Sequence, residues 1–279
     1  MPGANIDPKT VEGFGDEWSA YDQAELSAVE QQRLFGQYFS VFPFDDLADA
    51  SEGFDLGCGS GRWAALIAPR VGLLHCIDPA AKALAVARRR LADAGNVSFH
   101  ECGVDGIPLA DGSQDFGYSI GVLHHIPNTQ AALAACVRKL KPGAPFLVYI
   151  YYAFDNRPTW FRAVWRGSEL GRGAISRLPF GLRKTATTAI AAVVYWPLAH
   201  MARLLENRGL DVSGIPLSAY RYRSFYSMRT DALDRFGTRL EHRFTREQIR
   251  AMMERSGLDR IQFREEEPFW VACGRKVTE

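Results

Sequence analysis

Between residues 54 and 152 the chain alternates short apolar runs with longer segments of helical period. A short strand from Phe54 leads into a glycine turn, the apolar-periodic RWAALIAPRV, and a second strand, LLHCI, that ends before Asp78. Pro79 stands where the first turn of a helix tolerates it, and AAKALAVARRRLADAGN predicts a helix running to the Gly95-Asn96 stop. VSFHE and DFGYSIGVL read as third and fourth strands. TQAALAACVRKL reads as a helix halted by Pro142-Gly143, and APFLVYIYY as a fifth strand, apolar on both faces. Strands alternating with helices imply right-handed crossovers and a doubly wound, mostly parallel sheet.

The flanks follow other patterns. WSAYDQAELSAVEQQRLFGQYF predicts a helical cap ahead of the sheet, within a segment 1–50. The core should occupy 51–152, and a mostly helical, Arg- and Trp-containing insertion 153–230, either a lid or a dimer contact. In the last segment, 231–279, TREQ is a capping box opening REQIRAMMERSG. The runs DRIQF and PFWVACGRK then finish the sheet with one antiparallel strand. The stretch TATTAIAAVVYWPLAHM (185–201) is short for a membrane span and contains Pro197, so it is expected to be a buried helix without stable membrane insertion.

Composition narrows the partners. With 33 basic and 32 acidic residues the net charge is +1, and no chain-wide field draws in nucleic acid. No long basic stripe is present, so the expected partner is a small molecule, with a homodimer left open. The five cysteines are scattered and lack C-x-x-C spacing, which argues against a disulfide framework and against a zinc or other metal site. A cytoplasmic location fits them, and MPGANIDPKTVEGFGDEW does not read as a signal peptide.

The chemistry centres on FDLGCGSGRW, residues 54–63. Gly57, Gly59 and Gly61 occupy the first strand-to-helix turn, the usual cradle of an open α/β sheet. Their spacing is G-x-G-x-G, not the G-x-G-x-x-G of a dinucleotide site, and the Gly-Lys-Ser/Thr of a phosphate loop is absent. Asp55 would repel a pyrophosphate but suits an ammonium group. Asp78, closing the second strand, is placed to take the two hydroxyls of a ribose. A ribose with a cationic tail and no phosphates describes S-adenosylmethionine.

These residues resemble the class I S-adenosylmethionine-dependent methyltransferases, particularly the branch containing the ubiquinone and menaquinone C-methyltransferases. FDLGCGSG is similar to that family's first motif, CIDP to its second, and IPLADGSQDFGYSIGVLHHI to its third and fourth. The resemblance implies a Rossmann-like, mostly parallel seven-stranded sheet with an N-terminal helical cap and a helical insertion. It also implies that the three glycines pack against S-adenosylmethionine, that Asp55 orders its amino-acid end, and that Asp78 holds the ribose. Gly103, Val104 and Asp105 would face adenine, Gly103 standing where many members have Asp or Asn. Trp18, Pro79 and Gly121 complete the expected cofactor set.

The sulfonium is already activated, so such an enzyme needs alignment and exclusion of water more than a fixed catalytic motif. Tyr21, His124 and Tyr152 are the candidate catalytic residues, and Tyr151, Tyr222, Arg223 and Tyr226 the candidate substrate pocket. Cys58 is expected to be a packing residue. The favoured reaction moves the methyl group to an oxygen, nitrogen or carbon of a small acceptor. In an alternative, a tyrosine-filled site lets the cofactor's own amine displace at its γ-carbon, giving azetidine-2-carboxylate and methylthioadenosine. A non-catalytic cofactor-binding protein is a third reading.

Overall fold

A computed structural model of the chain describes residues 5–278. They divide into two units: one of residues up to Gln23, Arg33–Ala153 and from Leu240 onward, the other of Ala24–Gln32 and Phe154–Arg239.

The first unit is built on a seven-stranded sheet. Its strands are β1 (Glu52–Leu56), β2 (Leu73–Ile77), β3 (Val97–His100), β4 (Phe116–Ile120), β5 (Pro145–Tyr149), β6 (Leu258–Phe263) and β7 (Val271–Lys276). They lie in the order β3-β2-β1-β4-β5-β7-β6, with β7 antiparallel to both neighbours and the rest of the ladder parallel. This is the doubly wound, Rossmann-like arrangement that the alternation implied. The chain order reverses between β1 and β4, so a crevice opens beyond their carboxyl ends. Phe54, Phe146, Leu133 and Ile249 are fully buried in the main core, which joins the sheet to helices on its face.

Several helices differ from the sequence expectation. The N-terminal pattern is two helices, α1 (Pro8–Ala20) and α2 (Ala28–Tyr38), because Gln23 between them takes a left-handed φ of 66°. Asp7 caps α1 by accepting from the Thr10 N–H at 2.7 Å, with Pro8 in the first turn. After β1 only a short α3 (Ala64–Ile67) and a 3₁₀ turn form. Helix α4 (Ala81–Arg90) stops five residues before Gly95, its last turn carrying Arg88, Arg89 and Arg90. Both are followed by α5 (Thr129–Lys139), whose N-cap Asn128 accepts from Ala131.

The second unit is helical, with α6 (Thr159–Ile175), α7 (Phe180–Ile190), α8 (Trp196–Glu206) and α9 (Phe225–Gly237). A π turn, Ala191–Tyr195, joins α7 to α8 directly. Pro197 has no N–H to return to the preceding turn, which accounts for a widened ladder at that point. Ala191, Tyr195 and Ala199 bury one side of this rod against Met228 and Ala232 of α9. The stretch expected to be a buried helix is therefore buried along one side only: 22% of its most apolar window is inside the structure. Returning to the first unit, α10 (Arg246–Arg255) opens with the capping box read from TREQ.

Candidate cofactor site

The turn after β1 places Gly57, Gly59 and Gly61 at φ values of 79°, 52° and 72°, a region that penalises any side chain. Each glycine also has a neighbour that leaves no room. A Cβ on Gly57 would fall 2.3 Å from Val122, one on Gly59 3.0 Å from the Trp18 indole, and one on Gly61 3.2 Å from the Ala87 Cα. The bare turn thus lets three separate pieces close on it: the loop after β4, helix α1 and helix α4.

Asp78 is fixed from two sides. Its Oδ2 accepts from the Gly59 N–H at 2.9 Å and its Oδ1 from the Ala80 N–H at 2.8 Å. Burial pushes its carboxyl up to about 6, while the Ala80 and Gly59 amides pull it back down. It is therefore ionised at neutral pH and keeps further lone pairs for a ligand. Asp55, next to the last residue of β1, is 1% exposed and its Oδ2 makes no hydrogen bond among the described residues. Burial pushes Asp55 up to about 8, opposed by the facing Tyr118 hydroxyl and reinforced by Asp78. The two acids of the turn differ in charge at pH 7.

Beyond the strand ends lies a cavity of about 120 Å³. Gly57, Asp78, Pro79, Gly103, Val104 and Gly121 form its floor. The facing wall is the N-terminal segment, through Ile6, Thr10, Val11, Phe14 and Trp18. That segment is pinned at its start. The Asn5 N–H donates to Asp105 Oδ2 at 2.6 Å, and the Asn5 side chain exchanges hydrogen bonds with the Asn128 backbone at 2.9 and 2.8 Å. Thr10 also lines the cavity; its hydroxyl is buried and has no hydrogen-bond partner among the described residues.

Of the expected cofactor residues, Trp18, Gly57, Asp78, Pro79, Gly103, Val104 and Gly121 all line this cavity. Asp55, Gly59, Gly61 and Asp105 lie outside its lining; Asp105 instead anchors Asn5. Gly103 faces Ile6, whose Cδ1 would sit 3.4 Å from a Cβ there. Tyr21 is buried at the end of α1. His124 is completely buried, stacked on Tyr151 with ring centroids 3.9 Å apart, and neither ring nitrogen has a hydrogen-bond partner among the described residues. Burial, with His125 beside it, holds His124 well below the usual histidine range, hence neutral. Tyr152 packs on Phe269 and Trp270. Tyr222, Arg223 and Tyr226 belong to the second unit, where Tyr222 donates to Glu206 at 2.7 Å and Arg223 pairs with Asp231 at 2.9 Å. Tyr226 is buried beneath the Arg229 guanidinium. Cys58 is buried, and contact with Cys76 together with burial pushes its thiol well up, consistent with a packing role.

Sequence reasoning did not anticipate Val122, Phe14 and Thr10 as lining residues. The strand β4 ends at Ile120, and a 3₁₀ turn, Leu123–His125, turns His125 to the cavity and His124 to the core. The His125 Nδ1 sits 2.7 Å from the Leu240 carbonyl, which can only accept, so Nδ1 donates there. Helix α1 shows a helical period in sequence, but nothing local says which strands it crosses.

The donor set fits S-adenosylmethionine. An ionised, backbone-held carboxylate suits a ribose diol, and the apolar slot of Val104, Ile6 and Ile126 suits a base. Comparison with known proteins agrees. Residues 54–148 match the family described as "Methyltransferase domain". Ubiquinone biosynthesis O-methyltransferase of Xanthomonas euvesicatoria pv. vesicatoria is 28% identical over 183 residues, covering 63% of this chain and 71% of that protein. The protein of the same name from Paracidovorax citrulli is 29% identical over 106 residues, 37% of this chain and only 43% of that protein. Among solved structures, an S-adenosylmethionine-dependent methyltransferase of Methanosarcina mazei superposes with a TM-score of 0.51 at 16% identity, covering 84% of this chain and 96% of that one.

Proposed function

From a chain that carries a methyltransferase domain at residues 54–148, in the fold of the S-adenosylmethionine-dependent class, we propose an enzyme that moves a methyl group from S-adenosylmethionine to an oxygen, nitrogen or carbon of a small-molecule acceptor. The observation that carries the reading is Asp78, an ionised carboxylate held by two backbone amides at the edge of the cavity. When bound, the cofactor supplies a methyl group already activated on a sulfonium. The protein's own task is orientation and exclusion of water. Phe14, Trp18, Val122 and Ile126 provide apolar walls. The relatives named as O-methyltransferases make oxygen acceptors the first to test.

The cyclisation reading asked for a tyrosine-filled site, and no tyrosine stands among the residues lining the cavity. The test is calorimetric titration with S-adenosylmethionine. Asp78→Ala should weaken binding on the order of a hundredfold, the loss of charge-assisted hydrogen bonds to the sugar. Unchanged affinity would remove Asp78 from the site and the reading with it. Incubation with S-adenosylmethionine alone, followed by mass spectrometry, should return intact cofactor; methylthioadenosine with a cyclic amino acid would replace transfer by cyclisation.

A further inference from the structure

The second unit holds a surface that the methyl-transfer reading does not use. Residues 185–202 carry no Asp, Glu, Lys or Arg, a run of 18 residues, about 27 Å of helix. One side of this run is buried by Thr187, Ala191, Tyr195, Ala199 and Ala202. The opposite side leaves Val193 70%, Trp196 47%, Met201 43% and Leu204 59% exposed, and Leu182 extends it at the start. Exposed apolar residues gathered on one helix face mark an interaction surface, not a scatter.

Charge identifies what covers it. Residues 154–210 contain nine Arg or Lys against three acids, while the whole chain is only +1. Lys184 precedes the uncharged run and the exposed Arg203 follows it, while Arg183 is buried and donates to the Gly237 carbonyl. Arg166, Arg177 and Arg208 are exposed, and none of them has a carboxylate partner among the described residues. A second copy of the chain would set this local excess of positive charge against itself. A spanning helix would need apolar residues all round, whereas this rod already spends one side on its own unit. An apolar face with a Trp at its centre and cations at both ends matches a helix lying in the plane of an anionic lipid surface.

We propose that the exposed face of α7 and α8, centred on Val193 and Trp196, docks on an anionic lipid bilayer without crossing it. The apolar side chains enter the headgroup boundary while Arg203 and Arg208 meet lipid phosphates. This inference stands apart from the methyl-transfer reading.

The full-length protein should float with vesicles of phosphatidylcholine and phosphatidylglycerol at low salt, and much less with phosphatidylcholine alone or at high salt. Val193→Asp combined with Trp196→Asp, both at exposed positions, should abolish flotation. Arg203→Glu with Arg208→Glu should weaken it roughly tenfold or more and serves if the first variant folds poorly. Cofactor affinity should be unchanged in each, which separates this test from that of Asp78. Absence of wild-type binding to the anionic vesicles, or equal binding by both variants, overturns the proposal. So does a vesicle-free dimer, seen by analytical ultracentrifugation, that the Val193/Trp196 variant dissociates, since a second copy would then be the occupant.

Discussion

Asp55 and Asp78 lie at the same turn, and small differences in hydrogen bonding give them different work. Asp78 receives two backbone N–H groups and titrates at about 6; Asp55, with one oxygen unbonded, is pushed up to about 8. A carboxyl raised in the folded state holds a proton that the unfolded chain releases, so stability is full below the usual carboxylate range and falls as pH rises toward the folded value. Asp55→Asn, which cannot ionise, should therefore melt above the wild type near pH 8, the difference closing toward pH 4. Equal melting temperatures across that range in a calorimetric scan would show that Asp55 is not held protonated. Both acids were legible in FDLGCG and CIDP because each closes or precedes a strand end. The division of labour between His124 and His125 was not, since it depends on one 3₁₀ turn reversing which neighbour faces inward.

Elements were legible where their ends carry chemical signals. The capping box of α10 is present with both bonds, Thr245 accepting from the Gln248 N–H at 3.2 Å and Gln248 from the Thr245 N–H at 2.9 Å. Thr245→Ala should cost about 1 kcal/mol in denaturant unfolding with cofactor affinity intact; a loss several times larger would mean that Thr245 does more than cap. Helix α4 was expected to reach Gly95 and stops at Arg90, because three successive arginines favour the end of a helix dipole and solvent. The single N-terminal helix became two at Gln23, where no glycine or proline gives warning. The run 185–202 misled for another reason: hydropathy counts apolar residues but not which side they face, and here half of them face water.

At the scale of the whole molecule, the sheet order follows from alternation of strands and helices, a local pattern repeated along the chain. The cavity does not, because its wall and floor are far apart in sequence. Asn5 meets Asp105 across 100 residues and Asn128 across 123. Charge is likewise segregated on a scale that a net value of +1 conceals, since residues 154–210 alone carry nine cations against three acids.

The wall contributed by α1 has a kinetic consequence. A small molecule seated on Gly57 and Asp78 has Thr10, Phe14 and Trp18 on its other side, so its departure requires a stretch of backbone to peel away. Residence time then reports the opening frequency of residues 5–20 more than the strength of any contact. Asn5→Ala, which removes the Asn128 clasp, should speed cofactor release in stopped-flow and amide hydrogen exchange in α1 by the same factor, and a change in one rate alone would break the link. Under that coupling, turnover is paced by a helix that touches no reacting atom.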